Sequence, residues 1–259
     1  MLEPKPIACS MLKVNNEIDL YHTGPSLDKG PMPAVFYFAL SGEDSLCLDP
    51  FNQLVQFLSG HDIRVFSLTL PGHEANLPPQ NAINLWAEDI SKGTNVVQEF
   101  CEMASVALDF TIKENLVLPD KIAAAGLSRG GFITAHLAAI NENIKFLLMF
   151  APLTNLKLAR EFATIQDNPI VESLSLSKVS EKICDRHTRI YIGNHDQRVS
   201  TRSAFDFIED LTQKAFEKKI RFPQVEMIIS PSIGHMGHGT PLNIFQSGAD
   251  WLLECLLKI

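Results

Sequence analysis

Short apolar runs alternate with longer amphipathic segments along most of this chain, and this alternation restricts the fold more than any other feature. The apolar runs that predict buried strands lie at 34–40, 63–70, 121–127, 144–152, 189–194 and 224–232. The segments with apolar residues at helical spacing lie at 50–59, 83–105, 130–142, 201–219 and 243–259. Strands of this length separated by helices are typical of a parallel sheet covered on both faces. The sequence therefore predicts an α/β fold with a doubly wound, mostly parallel central sheet and helices on both faces.

Some parts of this pattern are less regular than the rest. Residues 7–12 and 18–24 predict an opening pair of strands around Asn15 and Asn16, which are turn-forming residues. Residues 83–105 fit either one long helix or two. Residues 157–187 contain no clear strand, and we expect them to form a small irregular cap on a single domain that spans 1–259.

Charge and cysteine content exclude several classes of partner. The chain has 30 acidic against 22 basic residues and a net charge of −8, which disfavours nucleic acid and anionic membranes. The cysteines are scattered and form no Cys-x-x-Cys pair, so we expect reduced thiols in a cytoplasmic protein rather than disulfides or a zinc site. No signal-peptide core and no apolar run of about 20 residues is present, so no membrane insertion is expected. The sequence predicts no metal or other cofactor and leaves the oligomeric state open.

Gly126-Leu127-Ser128-Arg129-Gly130 lies between a predicted strand and a predicted helix. The pattern Gly-x-Ser-x-Gly in this context is typical of a nucleophile elbow. The chain must reverse sharply at the serine, and glycines two residues away on either side remove side chains that would collide. The turn lifts the serine hydroxyl above the sheet and beside the helix N-terminus, where free N–H groups favour a developing oxyanion. Ser128 is therefore the candidate nucleophile.

A serine hydroxyl needs a base, and a base needs an orienting acid. Asp196 follows the strand at 189–194, and His235 follows the last strand. Since carboxyl ends of parallel strands share one edge of a sheet, these groups are expected to meet Ser128 there. We favour His235 as the base from its distance to the strand end, with His238 as the alternative. Asp167, Asp185 and Asp206 are weaker candidates for the acid because they lie in the irregular segment or within a helix.

The order Ser128, Asp196, histidine resembles that of the α/β-hydrolases, and the resemblance extends over nearly the whole chain. Within that superfamily the chain is most similar to small dienelactone-hydrolase and prolyl-oligopeptidase-like members. The segments that carry the resemblance are "PAVFYFALSGEDS", "FSLTLPGHEANLPP", "GLSRGG", "GNHDQRV" and "GHMGHG".

The resemblance also implies an oxyanion hole and a substrate site. One donor would be the backbone N–H of Arg129, and the other would come from the loop after the first buried strand, with Glu43 favoured and Gly42 or Leu40 as alternatives. Ser41 stands where the family usually has histidine, which puts the geometry of this loop in doubt. The further candidates for substrate contact are Ser41, His73 and His238.

These features predict a serine hydrolase that cleaves a carboxylic ester, or a related acyl bond, of a small soluble substrate through an acyl-enzyme. Peptidase, thioesterase and acyltransferase activities use the same triad and stay open. A non-catalytic binding protein on the same fold is a further alternative, because the fold does not guarantee the chemistry.

Overall fold

The computed structural model describes residues 7–74 and 77–258, and its centre is an eight-stranded sheet. The strands are β1 Ser10–Lys13, β2 Asp19–Thr23, β3 Met32–Phe38, β4 Arg64–Ser67, β5 Val117–Leu127, β6 Phe146–Phe150, β7 His187–Gly193 and β8 Val225–Ser230. Their order in the sheet is β1-β2-β4-β3-β5-β6-β7-β8. The pairs β1–β2 and β2–β4 are antiparallel, and all the others are parallel. This arrangement confirms the predicted fold class.

The helices flank the sheet on both faces. They are α1 Gly42–Cys47, α2 Gln53–Leu58, α3 Ala82–Ser91, α4 Val96–Lys113, α5 Arg129–Ile140, α6 Pro169–Ser173, α7 Ser180–Ile183, α8 Thr201–Glu217 and α9 Leu242–Leu257. The ambiguous segment 83–105 falls in two helices, because Gly93 takes a φ of 94° and the Asn95 side chain caps α4 by accepting the Gln98 N–H. Helix α1 was not expected, and it changes the candidate oxyanion loop, as described below.

The two faces of the sheet bury separate apolar cores. Along β3 the side chains alternate, so Phe36 and Phe38 pack into one core while Val35 and Tyr37 pack into the other. Helices α3, α4, α5 and α8 contribute to the first core, and α1, α2 and α9 contribute to the second. With both faces covered, the central strands lose all polar alternation, which explains why they appear in the sequence as continuous apolar runs.

The irregular segment between β6 and β7 consists of short helices. Helices α6 and α7 alternate there with 3-10 turns at Leu156–Leu158, Arg160–Phe162 and Leu176–Lys178. Phe162, Val171 and Leu176 from this segment are fully buried in the first core. No helix in the described ranges combines the length and the apolar character needed to cross a bilayer.

A buried histidine joins α5 to this segment. His136 Nε2 lies 3.0 Å from the Leu174 carbonyl oxygen, and the ring packs edge-on against Phe132. Burial lowers the pKa of His136 to about 4, although the bond to Leu174 acts in the opposite direction. In the unfolded chain the histidine has a pKa near 6.5. Between about pH 6.5 and pH 4 the unfolded chain therefore binds a proton at His136 that the folded protein does not bind.

Stability should therefore fall as the pH drops below 6.5. Between pH 7 and pH 5 the contribution of His136 is a loss of about 2 kcal/mol in the free energy of unfolding. Urea denaturation at the two pH values measures it, and His136→Leu should remove about that much of the pH dependence while lowering stability at pH 7. The exposed His61 provides the control, since His61→Gln should keep the wild-type pH dependence. An unchanged pH dependence in His136→Leu would contradict the assignment.

Candidate active site

Ser128 occupies the sharp turn between β5 and α5. Its backbone adopts φ 56° and ψ −115°, a region that residues other than glycine rarely adopt. The Ser128 N–H donates to the Phe150 carbonyl oxygen at 2.8 Å, and its own carbonyl accepts the N–H groups of Gly131 and Leu153. These bonds hold the strained residue between β6 and the first turn of α5, as the predicted nucleophile elbow requires.

The glycines of the elbow have no room for a side chain. A Cβ atom built on Gly130 would lie 1.9 Å from the Phe38 carbonyl oxygen of β3, and one on Gly126 would lie 2.2 Å from the Gly130 carbonyl carbon. In both cases the obstacle is backbone, which cannot move aside without disturbing the sheet. The sequence requirement at 126 and 130 is therefore steric.

Asp196 lies in the loop that follows β7, with its side chain fully buried. Its Oδ1 accepts the N–H groups of Arg198 at 2.9 Å and Val199 at 3.0 Å. Its Oδ2 lies 2.7 Å from Nδ1 of His238. Because three donors converge on one carboxylate, its orientation is fixed.

His238, and not His235, connects Asp196 to Ser128. The Nε2 atom of His238 lies 2.9 Å from Ser128 Oγ, while its Nδ1 faces Asp196. Since a carboxylate accepts the Nδ1 proton, Nε2 is left to accept the hydroxyl proton of Ser128. The prediction of His235 at this position is wrong. His235 is exposed and lines the mouth of the neighbouring cavity.

The reason lies in the path of the loop after β8. Gly234, Met236 and Gly237 all have positive φ, so the chain folds back on itself before it reaches His238. Gly237 passes so close to the acid loop that a Cβ would lie 2.3 Å from the His195 carbonyl oxygen. The Gln197 N–H donates to the Met236 carbonyl at 2.9 Å. Counting residues from the strand end assumes an open loop and so stops three residues early.

The predicted oxyanion loop takes a different path. Ser41 caps α1 by accepting the Asp44 N–H, and the Gly42 N–H donates to Thr69 Oγ1 at 3.0 Å. Tyr21 of β2 packs directly against Gly42. The Gly42 N–H is therefore already engaged, and neither Gly42 nor Glu43 lines the cavity beside Ser128. Gly42 is thus not available as an oxyanion donor in this structure, while the assignment of Glu43 stays a prediction.

Two other predicted candidates have clear environments. The Leu40 N–H donates to the buried Ser45 Oγ at 2.9 Å, so this alternative donor is also engaged. Arg129 is the first residue of α5, and within the described residues its backbone N–H has no hydrogen-bond partner. The structure thus leaves the Arg129 N–H beside Ser128 and free to bind an anion.

A cavity of about 630 Å³ opens over Ser128. Its apolar lining includes Phe51, Ile83, Leu153, Leu158, Met236 and Phe245. Ser128 and His238 both line it, and of the three residues predicted to contact substrate only His238 does so among the described residues. Ser41 serves as the helix cap noted above. This volume accommodates a small organic ligand.

His73 lies buried behind this region, with 5% of its surface exposed. Neither ring nitrogen has a hydrogen-bond partner among the described residues. Burial, reinforced by the positive charge of Arg129, lowers the pKa of His73 to about 4. The ring is therefore neutral near pH 7, and no contact with the cavity is formed.

Charged side chains at the cavity were missed in the sequence. Arg160, Arg198 and Glu161 all line it, and the Glu161 side chain is only 8% exposed. Arg198 stands only two residues after Asp196, and this proximity in sequence could have indicated that it lies at the cavity. Glu161 lies in the irregular segment, where no sequence pattern indicates its position. Within the described ranges, no group of three or more His, Cys, Asp or Glu side chains is arranged to hold a metal ion.

Structural comparison finds the same architecture in several solved structures. A Thermus thermophilus protein, TT1662, aligns over 98% of this chain and 100% of its own, with a TM-score of 0.72 and 15% identity. A cold-adapted esterase from an Arctic intertidal metagenomic library aligns over 96% of this chain and 93% of its own, with a TM-score of 0.66 and 18% identity. The chain has the α/β-hydrolase fold. No protein-family model and no curated protein matches its sequence.

Larger peptidases contain the same α/β-hydrolase architecture as one part of their length. Porphyromonas gingivalis dipeptidyl peptidase 4 aligns over 96% of this chain but only 36% of its own, with a TM-score of 0.71 and 16% identity. The chain thus spans about a third of that peptidase. At these identities the likeness establishes the α/β-hydrolase fold, and the chemistry must be argued from the site.

The steric requirement at the elbow is testable through Gly130→Ala. A methyl group there would overlap the Phe38 carbonyl, so we expect the variant to lose more than about 3 kcal/mol of stability or fail to fold. Ala139→Gly, a half-buried position in the same helix, should cost only about 1 kcal/mol. Denaturant unfolding compares the two. A Gly130→Ala protein as stable as the wild type would show that the approach of α5 to β3 is looser than described.

The reactivity of Ser128 distinguishes the two histidines. A fluorophosphonate probe should label wild-type Ser128, and His238→Ala should slow labelling by at least about 100-fold because the base is gone. His235→Ala should label close to the wild-type rate. Mass spectrometry of the labelled peptide identifies the serine. Slow labelling of His235→Ala together with fast labelling of His238→Ala would restore the original assignment.

Proposed function

We propose that the protein is a serine hydrolase that cleaves the ester bond of a small acyl substrate. The observation that carries this proposal is the continuous hydrogen-bonded path from Asp196 through His238 to Ser128 at a cavity. The strained backbone of Ser128 adds support, since such strain is concentrated at functional sites.

The first half of the reaction forms an acyl-enzyme. Ser128 Oγ attacks the acyl carbonyl carbon while His238 Nε2 takes the hydroxyl proton. Asp196 stabilises the resulting imidazolium through the Nδ1 hydrogen bond. The carbonyl oxygen becomes an oxyanion beside the Arg129 N–H, where the N-terminal dipole of α5 also favours negative charge. His238 then gives its proton to the leaving oxygen, and the alcohol departs.

The second half returns the enzyme to its starting state. A water molecule attacks the acyl-enzyme carbonyl, and His238 takes a proton from that water. The tetrahedral intermediate collapses, Ser128 Oγ recovers a proton from His238, and a carboxylic acid is released. The proton exchanged between Ser128 Oγ and His238 Nε2 moves over one hydrogen bond of 2.9 Å.

The cavity limits the size of the substrate, and the cysteines indicate where the protein acts. A volume of about 630 Å³ with many apolar side chains suits a short acyl group rather than a folded chain. An acyl-enzyme also permits cleavage of a peptide or a thioester, and transfer of the acyl group to an acceptor alcohol. The experiment below tests these activities as well. The five cysteines are free thiols, so we place the activity in the reducing cytoplasm.

A panel of p-nitrophenyl esters of increasing chain length, beside aminoacyl p-nitroanilides and acyl thioesters, tests the proposal. We expect turnover of short esters, and Ser128→Ala should lower kcat/KM by at least about 1000-fold while leaving the fold intact. Ser91→Ala, which removes an exposed hydroxyl at the end of α3, should leave the rate unchanged.

The outcome separates the alternatives. Faster cleavage of the anilides would make the protein a peptidase, and partition of the acyl group to an added alcohol would make it a transferase. Equal rates for wild type and Ser128→Ala on every substrate would exclude Ser128 as the nucleophile.

A further inference from the structure

Three arginines and one glutamate line the cavity over Ser128. Arg160 Nε lies 3.4 Å from Glu161 Oε1, so this carboxylate has a neighbouring cation. Arg129 and Arg198 form no salt bridge with any described residue. The cavity thus holds two arginines that form no salt bridge with a carboxylate in the described part of the chain.

Arg129 and Arg198 line the same cavity, and the positive charge of Arg198 acts on Arg129. Burial first, and then the positive charge of Arg198, lower the pKa of Arg129 to about 10, whereas Glu161 acts in the opposite direction. Among the described residues, the Arg129 guanidinium forms one hydrogen bond, from Nη1 to the Pro79 carbonyl at 3.2 Å. A partly buried guanidinium with a like charge beside it gains from an added anion.

Elsewhere in the described chain most arginines have partners, and Arg221, which is exposed, has none. Arg186 pairs with Asp185, Arg189 with Glu226, and Arg202 with Asp206. The buried Arg64 is surrounded by backbone carbonyl oxygens. With a net charge of −8, the chain has more carboxylates than cationic side chains, yet Arg129 and Arg198 form a salt bridge with none of the described ones. Arg129 is the informative case, because it is partly buried, whereas an exposed arginine such as Arg198 or Arg221 is hydrated without a partner.

The backbones of the two residues are fixed relative to the reacting atoms. Arg129 follows Ser128 directly, and the Arg198 N–H donates to Asp196 Oδ1. A group bound by both guanidinium ions would consequently lie in the same cavity as Ser128. Guanidinium ions bind carboxylates with two parallel hydrogen bonds, which adds direction to the charge attraction.

We propose that Arg129 and Arg198 bind a carboxylate of the substrate, so that the enzyme selects acyl substrates with a negative charge remote from the scissile ester. This inference rests on the proposed function for its consequence in turnover, but the binding itself does not require turnover. Glu161 also lines the cavity, and its negative charge would favour a substrate with a remote ammonium group instead.

The test uses three p-nitrophenyl esters of one length. These are the adipate monoester with its free carboxylate, the primary-amide analogue, which is neutral and of the same shape, and the 6-aminohexanoate, which is cationic. In the wild type we expect kcat/KM for the carboxylate to exceed that for the amide by about tenfold or more. Added salt should reduce this ratio, because Arg198 is exposed.

Arg198→Gln should reduce the carboxylate-to-amide ratio by about tenfold. The substitution keeps the backbone N–H that binds Asp196, and the exposed side chain makes misfolding no concern. Arg129→Gln should act in the same direction, but its side chain is more buried, so Arg198→Gln is the primary variant. Arg221→Gln is the matched control, since Arg221 is exposed in the loop that enters β8 at the opposite edge of the sheet, and it should keep the wild-type ratio.

Equilibrium binding of the same esters to Ser128→Ala separates this inference from the proposed function. Tighter binding of the carboxylate than of the amide, lost in Ser128→Ala/Arg198→Gln, supports the inference even if no ester is turned over. Turnover of all three esters with equal kcat/KM and equal affinity would overturn the inference and leave the hydrolase intact. Preference for the ammonium ester would overturn it in favour of Glu161.

Discussion

The reversal of the chain at Ser128 is the constraint on which the rest of the structure depends. It places a residue with φ 56° at the end of the central strand β5 and starts α5 against β3, with glycine at 126 and 130 because backbone occupies the space of a side chain. A conformation of this kind costs on the order of 1–3 kcal/mol and persists only where the surroundings enforce it. Here β3 and β6 enforce it from both sides, through the carbonyl of Phe38 packed on Gly130 and the carbonyl of Phe150 bonded to the Ser128 N–H.

Parallel strands explain how distant residues reach that serine. The carboxyl ends of β5, β7 and β8 lie at one edge of the sheet, so the loops after β7 and β8 begin near the elbow. Their final positions come from contacts between the loops themselves. The Gln197 N–H bonds the Met236 carbonyl, and the Gly237 backbone lies against that of His195. The loops that carry the acid and the base are therefore held together by contacts of their own, in addition to the hydrogen bond that joins His238 to Ser128.

The sequence predicts what depends on periodicity and on short-range sterics, and fails where non-local packing decides the backbone. The buried strands and the glycines of the elbow leave such a pattern, and Asp196 follows directly from a strand end. His238 could not be chosen over His235, because Met236 adopts φ 55° and nothing in its side chain signals this. The helix at 42–47 did leave a signal, since Ser41 followed by Glu43 and Asp44 is typical of a helix start, but the resemblance to an oxyanion loop outweighed it.

The backbone and the side chain of Arg129 act on different stages of the proposed reaction. Its N–H faces charge that develops only in the transition state, so that interaction raises kcat. Its guanidinium, together with Arg198, would meet a carboxylate that keeps its charge throughout, and such uniform binding lowers KM while leaving kcat nearly unchanged. A substitution of the side chain leaves the N–H in place. Selectivity for charge and stabilisation of the oxyanion are thus separable within one residue. Loss of the guanidinium would be seen mainly in KM, whereas kcat would keep the contribution of the N–H.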